Sequence, residues 1–527
     1  MLCLACSCLR DGKEVSMYSK VLSGTLHGVD GRLITVEADV SEGLPVFNMV
    51  GFLASEVREA SDRVRTALRN SGFQIPPKRI TINLSPADVR KEGSVFDLPI
   101  CVALLAAYGY IPSEMLTDVL IIGELSLNGD VRGVRGILPI VDYARKMNIP
   151  KVILPYGNRK EAVVIPNIEI MAAKHLSQVI DHLLGTKEIL PERMSHDNAT
   201  EGLFNVDFAE IKGQSTMKRA TEIAVAGMHN ILYLGPPGAG KSMIAKRIPS
   251  IMPELSYEES IELTKIYSVN GMLDADAGLI RRRPFRSPHH SITANALIGG
   301  GQNPKPGEIS LAHRGVLFLD EFLEFPKNVI EMMRQPLEDG HVTISRLQGS
   351  YTFPCDIMLV AAMNPCPCGY YPDMSKCKCT GPQIERYLKK LSEPMLDRMD
   401  MSISVPKLKY DELYGETKEE SSEDIRKRIV LAHAVQRRRL QQYEVLFNSQ
   451  IPMNVLDKVC QLGKEEKELR KEVFQQYSLT ARGAAKILRV ARTIADLAYS
   501  EKVKCNHIWE ALSYRMTDMF QKGGGRL

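Results

Sequence analysis

The chain has 527 residues, of which 44% are hydrophobic and 25% charged, and this composition excludes a disordered or fibrous protein. At roughly 100–200 residues per domain, the length predicts about three domains. The net charge of +4 is too small to establish a polyanionic partner. Residues 421–527, however, carry about 20 basic and 12 acidic side chains, so positive charge is concentrated there and requires an explanation.

Composition also predicts a cytoplasmic protein with no membrane partner. The longest apolar run, residues 98–110, is shorter than the roughly 20 residues that a membrane helix needs. Residues 1–16 do not have the pattern of a secretory signal, and we interpret them as a loose extension, with a metal or lipid site at Cys3, Cys6 and Cys8 as the alternative. The 11 cysteines are an odd number and suit reduced thiols better than a disulfide framework.

The pattern of elements predicts an α/β multidomain chain. Residues 17–185 form a first α/β domain, 186–210 a polar linker, 211–408 a second α/β domain and 409–527 a helical domain, in which Ser421 caps a helix. Within the first domain, Asn128-Gly129-Asp130 indicates a hairpin. The remaining predicted elements there are strands at 33–36, 46–49, 80–84 and 151–155 and a helix at 55–71.

A phosphate-binding loop follows the apolar run 231–234 and precedes a helix-like segment, which is the strand–loop–helix context that this motif requires. Its glycines allow backbone N–H groups to surround phosphate oxygens. Lys241 can reach the β- and γ-phosphates, and the hydroxyl of Ser242 can hold Mg²⁺, so the loop predicts ATP and Mg²⁺ as ligands. The predicted nucleotide contacts are Gly235, Pro236, Pro237, Gly238, Ala239, Gly240, Lys241 and Ser242.

Two more apolar strands end in polar residues. The run 316–319 ends in Asp320, which would hold Mg²⁺, and Glu321, which would polarise the attacking water. The run 357–362 is followed by Asn364, whose amide can orient that water near the γ-phosphate. These three residues complete a predicted site for ATP hydrolysis.

Together these motifs form the signature of an AAA+ ATPase, and longer blocks of sequence resemble one family. The chain is similar to the magnesium-chelatase-like YifB/ComM proteins over nearly everything after Met17. The blocks that carry this resemblance are RPFRSPHHSITANALIGGG at 283–301, GEISLAHRGVLFLDEF at 307–322, MRQPLEDGHVTISR at 333–346 and AAMNPCPCGYY at 361–371.

The resemblance implies further site residues. Arg398 matches an arginine finger that reaches the ATP of a neighbouring subunit, so the resemblance implies a homo-oligomer, most simply a hexamer. Arg482 matches the second sensor arginine of a helical C-terminal lid, and Gly213 and Gln214 match the adenine-side segment. Without the motif context, each of these arginines would be interpreted as a surface ion-pair partner.

The first domain resembles the Lon-protease-like, ribosomal-S5-like fold, through residues 90–99 and 123–129. A serine–lysine protease needs a serine activated by a buried lysine. The resemblance places Val95 at the nucleophile position and Leu138 at the lysine position, while Ser94 is one residue away. The sequence therefore predicts a non-catalytic scaffold rather than an active protease.

Cys366, Cys368, Cys377 and Cys379 form two C-x-C pairs on a turn-rich segment, and four thiolates can hold tetrahedral Zn²⁺. We predict a zinc site, and four reduced thiols without a metal are the alternative.

Basic residues predict salt-dependent DNA binding without sequence specificity, to single-stranded or branched DNA. The alternative is that these residues form a solvated helix face and ion pairs between subunits. The segment from His341 to Arg346 alternates like a β-hairpin, and the resemblance to AAA+ helicases implies that a hairpin in this position lines the pore of the ring and contacts nucleic acid. The predicted cations are Arg281, Arg282, Arg283, Arg286, His289, His290, Arg437, Arg438, Arg439, Lys486, Arg489 and Arg492.

The resemblance then implies a DNA helicase that performs branch migration in recombination and natural transformation. The alternatives are a chelatase-type or chaperone-like motor that remodels a partner protein, and a transcription activator. The chelatase motor subunit lacks the Lon-like domain, and neither a GAFTGA-type loop nor a helix-turn-helix is evident in the sequence.

Overall fold

The structure is a computed structural model that describes residues 17–194, 206–273, 278–346, 349–408, 410, 412, 419–477 and 479–515. The predicted extension 1–16 and residues 195–205 of the predicted linker lie outside the described residues. The chain divides into two compact units, and the predicted three-domain boundaries stay a prediction. The first unit comprises the described residues of Met1–Asn198, Thr264–Ile280 and Ser345–Tyr351, and the second those of Ala199–Leu263, Arg281–Ile344 and Thr352–Leu527.

The first unit contains a seven-stranded sheet with the strand order β3-β4-β2-β1-β5-β8-β9. Strands β1 and β2 form an antiparallel hairpin in which His27 pairs with Asp30, and Gly28 occupies the turn with a φ of 66°. The strands are β1 (Tyr18–His27), β2 (Asp30–Ser41), β3 (Val46–Val50), β4 (Arg79–Ser85), β5 (Val119–Ile121), β6 (Glu124–Leu125), β7 (Val131–Arg132), β8 (Lys151–Pro155) and β9 (Glu169–Ala173).

The predicted strands of this unit are confirmed, because 33–36, 46–49, 80–84 and 151–155 lie inside β2, β3, β4 and β8. The short hairpin β6–β7 confirms the turn predicted at Asn128-Gly129-Asp130. The helices are Ser55–Arg58, Ala60–Asn70, Asp97–Ala107, Ile137–Lys146, Arg159–Ala162 and Leu176–Leu183, with 3₁₀ turns at Ser113–Leu116 and Tyr156–Asn158. The helix Asp97–Ala107 is buried on every side, which explains its almost wholly apolar sequence.

The second unit is built on a five-stranded parallel sheet with the order β11-β14-β17-β10-β18. Parallel strands bring their carboxyl ends to one edge, where ligands bind in open α/β sheets. Two shorter strand pairs are β12–β13 and β15–β16. The second pair is the predicted hairpin that starts at His341, and its described residues within Ser345–Tyr351 belong to the first unit. The strands are β10 (Ile231–Leu234), β11 (Phe285–Arg286), β12 (Gly299–Gly300), β13 (Lys305–Pro306), β14 (Val316–Leu319), β15 (His341–Arg346), β16 (Gly349–Pro354), β17 (Met358–Met363) and β18 (Met401–Ser404).

Helices make up the rest of the second unit, and its carboxyl-terminal part is helical as predicted. Ser421 accepts a hydrogen bond from the backbone N–H of Asp424 at 3.2 Å, which confirms the predicted cap. None of the described helices is long and apolar enough to cross a membrane. The helix Tyr257–Asn270 begins in the second unit and ends in the first. The other helices and 3₁₀ turns of the second unit are Phe208–Glu210, Ser215–Gly227, Lys241–Ala245, Ile248–Ile251, Ala294–Ile298, Glu308–Leu311, Phe322–Glu324, Lys327–Met332, Arg334–Asp339, Gly381–Leu388, Glu393–Leu396, Ser422–Leu440, Gln441–Tyr443, Asn448–Gln450, Leu456–Cys460, Lys464–Gln476, Ala481–Leu497 and Cys505–Ser513.

Candidate nucleotide-binding site

The predicted phosphate-binding loop connects the buried strand β10 to the helix Lys241–Ala245. Gly238 and Gly240 have φ values of 76° and 87°, which side chains with a Cβ rarely adopt. A Cβ at either glycine would meet nothing within 4 Å, so the inner side of the loop is open to a ligand. The loop therefore has the backbone conformation and the free space that a phosphate cradle needs.

Lys241 is buried at the centre of this loop. Its ammonium donates to the backbone carbonyl of Gly235, to that of Pro236 at 3.0 Å and to Oδ1 of Asn364 at 3.1 Å. Burial lowers the pKa of Lys241 to about 8, while the negative charges of Asp320 and Glu321 act in the opposite direction. The structure thus brings the predicted lysine, the predicted acids and the predicted sensor amide into one group.

Ser242 and Asp320 face each other, with the serine hydroxyl donating to Oδ2 of Asp320 at 2.6 Å. One hydroxyl and one carboxylate are the hard oxygen ligands that Mg²⁺ prefers when it also binds phosphate oxygens. This hydrogen bond places the two predicted Mg²⁺ ligands side by side.

Glu321 follows Asp320 in an unusual backbone conformation, with a φ of 51°. Its N–H donates to Oδ1 of Asp320 at 3.0 Å, and its carboxylate is exposed. The imidazole Nδ1 of His290 lies 3.6 Å from this carboxylate. The sequence indicated His290 as a basic residue for DNA and did not predict its contact with Glu321, because the two are separated by 31 positions along the chain.

The segment predicted at the adenine side lies against the phosphate-binding loop. The side-chain amide of Gln214 donates to the carbonyl of Ala239 at 3.2 Å and to that of Pro406 at 2.9 Å. The N–H of Gly213 donates to Glu419 at 2.8 Å. Contact of Gly213 and Gln214 with adenine itself stays a prediction.

Arg398 and Arg482 lie together at Glu338, and we call these three residues the Glu338 cluster. Arg398 donates to one carboxylate oxygen of Glu338, and Arg482 donates to the other at 2.9 Å. They line a cavity of about 650 Å³ whose described lining residues do not include the phosphate-binding loop. The sequence predicted both arginines but gave no sign of Glu338 as their shared partner.

The four predicted zinc ligands also come together. The sulfur atoms of Cys366, Cys368, Cys377 and Cys379 all lie within 4.8 Å of one another. The Sγ–Sγ distances are 3.4 Å from Cys366 to Cys368, 3.8 Å from Cys366 to Cys377 and 3.5 Å from Cys368 to Cys377. The eight described cysteines are all free, so no disulfide joins any pair of them.

Several cations that the sequence indicated for DNA have internal partners instead. Arg283 is buried and donates to Glu259 at 3.1 Å and to the carbonyls of Pro253 and Arg314 at 2.8 and 2.7 Å. Arg286 forms a double hydrogen bond with Glu308, at 2.6 and 2.7 Å. The prediction of DNA contact is wrong for Arg283, because burial and these bonds occupy its guanidinium.

The same correction applies to Arg439 and Arg492, which share Asp496; we call these three residues the Asp496 cluster. Arg439 forms a double hydrogen bond with this carboxylate, at 2.8 and 2.6 Å. Arg492 donates to it at 2.9 Å and also to the carbonyls of Ser500 and Glu501. The guanidinium of Arg492 is fully buried, so it belongs to the folded core of the helical region.

Lys486 and Arg489 are also bonded within the chain. The ammonium of Lys486 donates to the carbonyls of Asp397 and Met399, the second at 2.9 Å. Arg489 donates to the carbonyl of Ile451 at 2.9 Å. Of the predicted basic residues, Arg281, Arg282, His289, Arg437 and Arg438 are exposed.

The residues at the predicted protease positions are apolar and buried. Val95 is 8% exposed and Leu138 is fully buried. The hydroxyl of Ser94 donates to the carboxylate of Glu124, and Lys91 donates to the backbone carbonyl of Pro86. The first of these bonds gives Ser94 a carboxylate as its partner. A carboxylate is a weaker base than the neutral amine of a lysine, so it removes the serine proton less readily.

Three family models match the chain. The model described as "Magnesium chelatase, subunit ChlI" matches residues 207–413, "Subunit ChlI of Mg-chelatase" matches 36–158, and "Magnesium chelatase, subunit ChlI C-terminal" matches 419–515. The chain is 40% identical to "Uncharacterized protein YifB" of Salmonella typhimurium over 495 residues, which cover 93% of this chain and 96% of the relative.

Two other relatives bear on the two predicted resemblances. "Competence protein ComM" of Haemophilus influenzae is 40% identical over 508 residues, which cover 95% of this chain and 98% of that protein. "Lon protease 2" of Bacillus subtilis is 28% identical over 171 residues, which cover 29% of this chain and 30% of that protein. The chain therefore belongs to the YifB/ComM family of magnesium-chelatase-like AAA+ ATPases, with Lon-like homology in part of its length. Membership indicates ATPase activity and implies the use of ATP and Mg²⁺.

Proposed function

We propose that the chain is a ring-forming, Mg²⁺-dependent ATPase that moves along DNA, and that it acts as a helicase in branch migration during recombination and natural transformation. One observation carries this proposal: a nucleotide site occurs in a chain that is 40% identical, along nearly its full length, to a protein named for competence. A cytoplasmic location is part of the proposal, supported by the eight free cysteines among the described residues.

In the proposed reaction, Lys241 exchanges its bonds to loop carbonyls and Asn364 for bonds to the β- and γ-phosphates. Ser242 and Asp320 would hold Mg²⁺, which neutralises phosphate charge when it is bound. Glu321 polarises the attacking water, and Asn364 orients it. The strands that carry these residues are neighbours in the sheet, so their positions are fixed before ATP arrives.

Arg398 and Arg482 are proposed to act on the ATP of a neighbouring subunit in a hexamer. The support is their common position at Glu338, in a cavity that the phosphate-binding loop does not line. A head-to-tail interface repeated around a closed ring would bring this cavity to the next subunit's phosphates. Hydrolysis would then require assembly.

The proposed DNA contacts are the exposed cations and the hairpin β15–β16, with phosphates as the recognised groups. The first unit would serve as a scaffold without protease activity, supported by the apolar residues Val95 and Leu138. The four clustered cysteines would hold Zn²⁺. The chelatase-type or chaperone-like motor remains a second candidate, because the matching family models are named for a magnesium chelatase subunit.

ATPase and strand-displacement assays on the purified full chain test the proposal. We expect hydrolysis to be stimulated by single-stranded or forked DNA and a three-strand substrate to be resolved in the presence of ATP and Mg²⁺. Lys241→Ala should abolish both activities, while Lys246→Ala, an exposed lysine one helical turn later, should retain them. An ATPase that does not respond to DNA and moves no strand would contradict the helicase and favour the partner-protein motor.

A further inference from the structure

We propose that the cysteine cluster is a Zn²⁺ site whose metal holds the nucleotide site in its active shape, so that ATP hydrolysis depends on the loaded metal. We call residues 366–379 the cysteine loop. The proposal deepens the proposed ATPase function and rests on it for the catalytic readout only. The metal content of the chain is an independent readout.

The sulfur geometry fits one tetrahedral ion. Four Zn–S bonds of about 2.3 Å in a tetrahedron place neighbouring sulfurs about 3.8 Å apart. The measured Sγ–Sγ distances of 3.4, 3.5 and 3.8 Å are close to that value. Sulfurs this close surround a single ion rather than an iron–sulfur cluster, and four thiolates in a tetrahedral arrangement favour zinc.

The conformation of the segment between the two C-x-C pairs is held by turns and not by a hydrophobic core. The carbonyl of Asp373 accepts from the N–H of Cys377 at 2.8 Å, and the N–H of Tyr371 donates to Sγ of Cys366 at 3.4 Å. No helix or strand is present between Cys366 and Cys379, all of which the structure describes. A bound metal would supply the cross-link that such a segment lacks.

The amino-terminal end of the cysteine loop touches the nucleotide site. Cys366 comes two residues after Asn364, the partner of Lys241. Gly369 packs on the phosphate-binding loop so closely that a Cβ there would lie 2.6 Å from Cδ of Pro237. The same Cβ would lie 3.7 Å from Cγ of Asn364. Movement of the loop therefore displaces two parts of the site.

The carboxyl-terminal end of the loop reaches the segment that follows Glu321. Thr380, directly after Cys379, caps the helix Gly381–Leu388 together with Gln383. Lys390, beyond that helix, donates to the carbonyl of Leu323 at 3.1 Å. The cysteine loop is thus connected at one end to the sensor amide and the phosphate-binding loop, and at the other to the neighbourhood of the predicted catalytic glutamate.

The first test measures metal by mass spectrometry in protein purified under reducing conditions. We expect about one Zn²⁺ per chain. Serine replacements of the four cysteines, one at a time, should each lose the metal and lower the DNA-independent ATPase rate about tenfold or more. Cys101→Ala, at a buried cysteine in the helix Asp97–Ala107 of the first unit, should keep both. Reduced wild-type protein without zinc, or loaded with another metal, would overturn the zinc site.

The second test separates the metal from folding defects. A mercurial thiol reagent releases zinc from wild-type protein, and excess thiol with added Zn²⁺ should restore both the metal and ATPase activity. Gly369→Ala keeps all four thiols, so we expect it to retain zinc but hydrolyse ATP at least about tenfold more slowly. Gly185→Ala is the control, since its φ is also positive at 70° but its Cβ would meet nothing within 4 Å.

Full ATPase activity in the zinc-free chain would overturn the coupling. If the wild-type chain hydrolyses no ATP, the proposed function fails separately, and binding of a fluorescent ATP analogue then decides the coupling. Equal affinity of that analogue for zinc-loaded and zinc-free protein would contradict it, while weaker binding without zinc would support it.

Discussion

Two carboxylates in the second unit each hold a pair of arginines, and the two clusters differ in their contact with water. In the Asp496 cluster, the side chain of Asp496 is 1% exposed, that of Arg492 0% and that of Arg439 19%. In the Glu338 cluster, the side chain of Glu338 is 46% exposed, that of Arg482 61% and that of Arg398 16%, so the carboxylates differ most clearly. The chemistry of the charged groups is the same in both clusters.

Burial of the carboxylate is the difference from which we expect different roles. Removal of a buried counter-charge leaves an uncompensated ion in the core. A half-exposed carboxylate contributes little stability to its ion pairs, and the arginines that it holds can exchange it for a phosphate. We therefore expect substitutions in the Asp496 cluster to alter stability and those in the Glu338 cluster to alter ATP hydrolysis.

The largest expected effect follows from Arg398→Ala. Under the proposed function Arg398 is an arginine finger whose positive charge stabilises the transition state, so its loss should lower the ATPase rate about a thousandfold. Nucleotide binding and the thermal midpoint should change little. Steady-state ATPase assays measure the effect, with Arg386→Ala, at an exposed arginine outside the Glu338 cluster, as the control.

A mixing experiment extends this prediction to the ring. Subunits with Arg398→Ala and subunits with Lys241→Ala are each inactive, but a mixed ring contains some interfaces with both groups intact. Random mixing should restore about a quarter of the wild-type rate, since each interface needs one intact group from each side. No recovery in a confirmed mixed oligomer would contradict an arginine that acts on the neighbouring subunit.

The next effect is on stability, from Asp496→Asn. The amide has the same shape as the carboxylate but leaves Arg439 and Arg492 without a counter-charge in the core. We expect a loss of about 3–5 kcal/mol in the free energy of local opening. Hydrogen–deuterium exchange of the helix Ala481–Leu497 measures it. Unchanged exchange together with a stronger response to DNA would instead restore these arginines as DNA contacts.

The sequence allowed only part of this distinction to be predicted. Arg492 and Asp496 are four residues apart, the spacing of an ion pair on one helix face, so their contact was available as a local signal. Arg439 is 57 positions from Asp496, and only the packing of two helices brings them together. The number of basic residues therefore indicated DNA binding, although the folded chain pairs these charges with its own carboxylates.

Local sequence patterns were sufficient to predict the candidate site residues that follow the ends of strands. Lys241, Asp320 and Asn364 each follow an apolar strand, and parallel strand order brings such ends to one edge. The partners that come from elsewhere could not be predicted in this way. Glu338 and His290 lie within two of the blocks that carry the family resemblance, but their contacts depend on tertiary packing, and no spacing within those blocks indicates their partners.

The smallest expected effect is that of Glu338→Gln, the counterpart of the change at Asp496. Exposed ion pairs contribute about 0–1 kcal/mol, so the thermal midpoint should be nearly unchanged. In the proposed ring the carboxylate competes with the neighbouring subunit's phosphate for Arg398, so its removal should lower KM for ATP by up to about fivefold, which corresponds to about 1 kcal/mol. Steady-state kinetics measure this, with kcat expected to remain within about twofold because the arginines themselves are intact. A raised KM together with a reduced kcat would show that Glu338 positions the two arginines instead of competing for them.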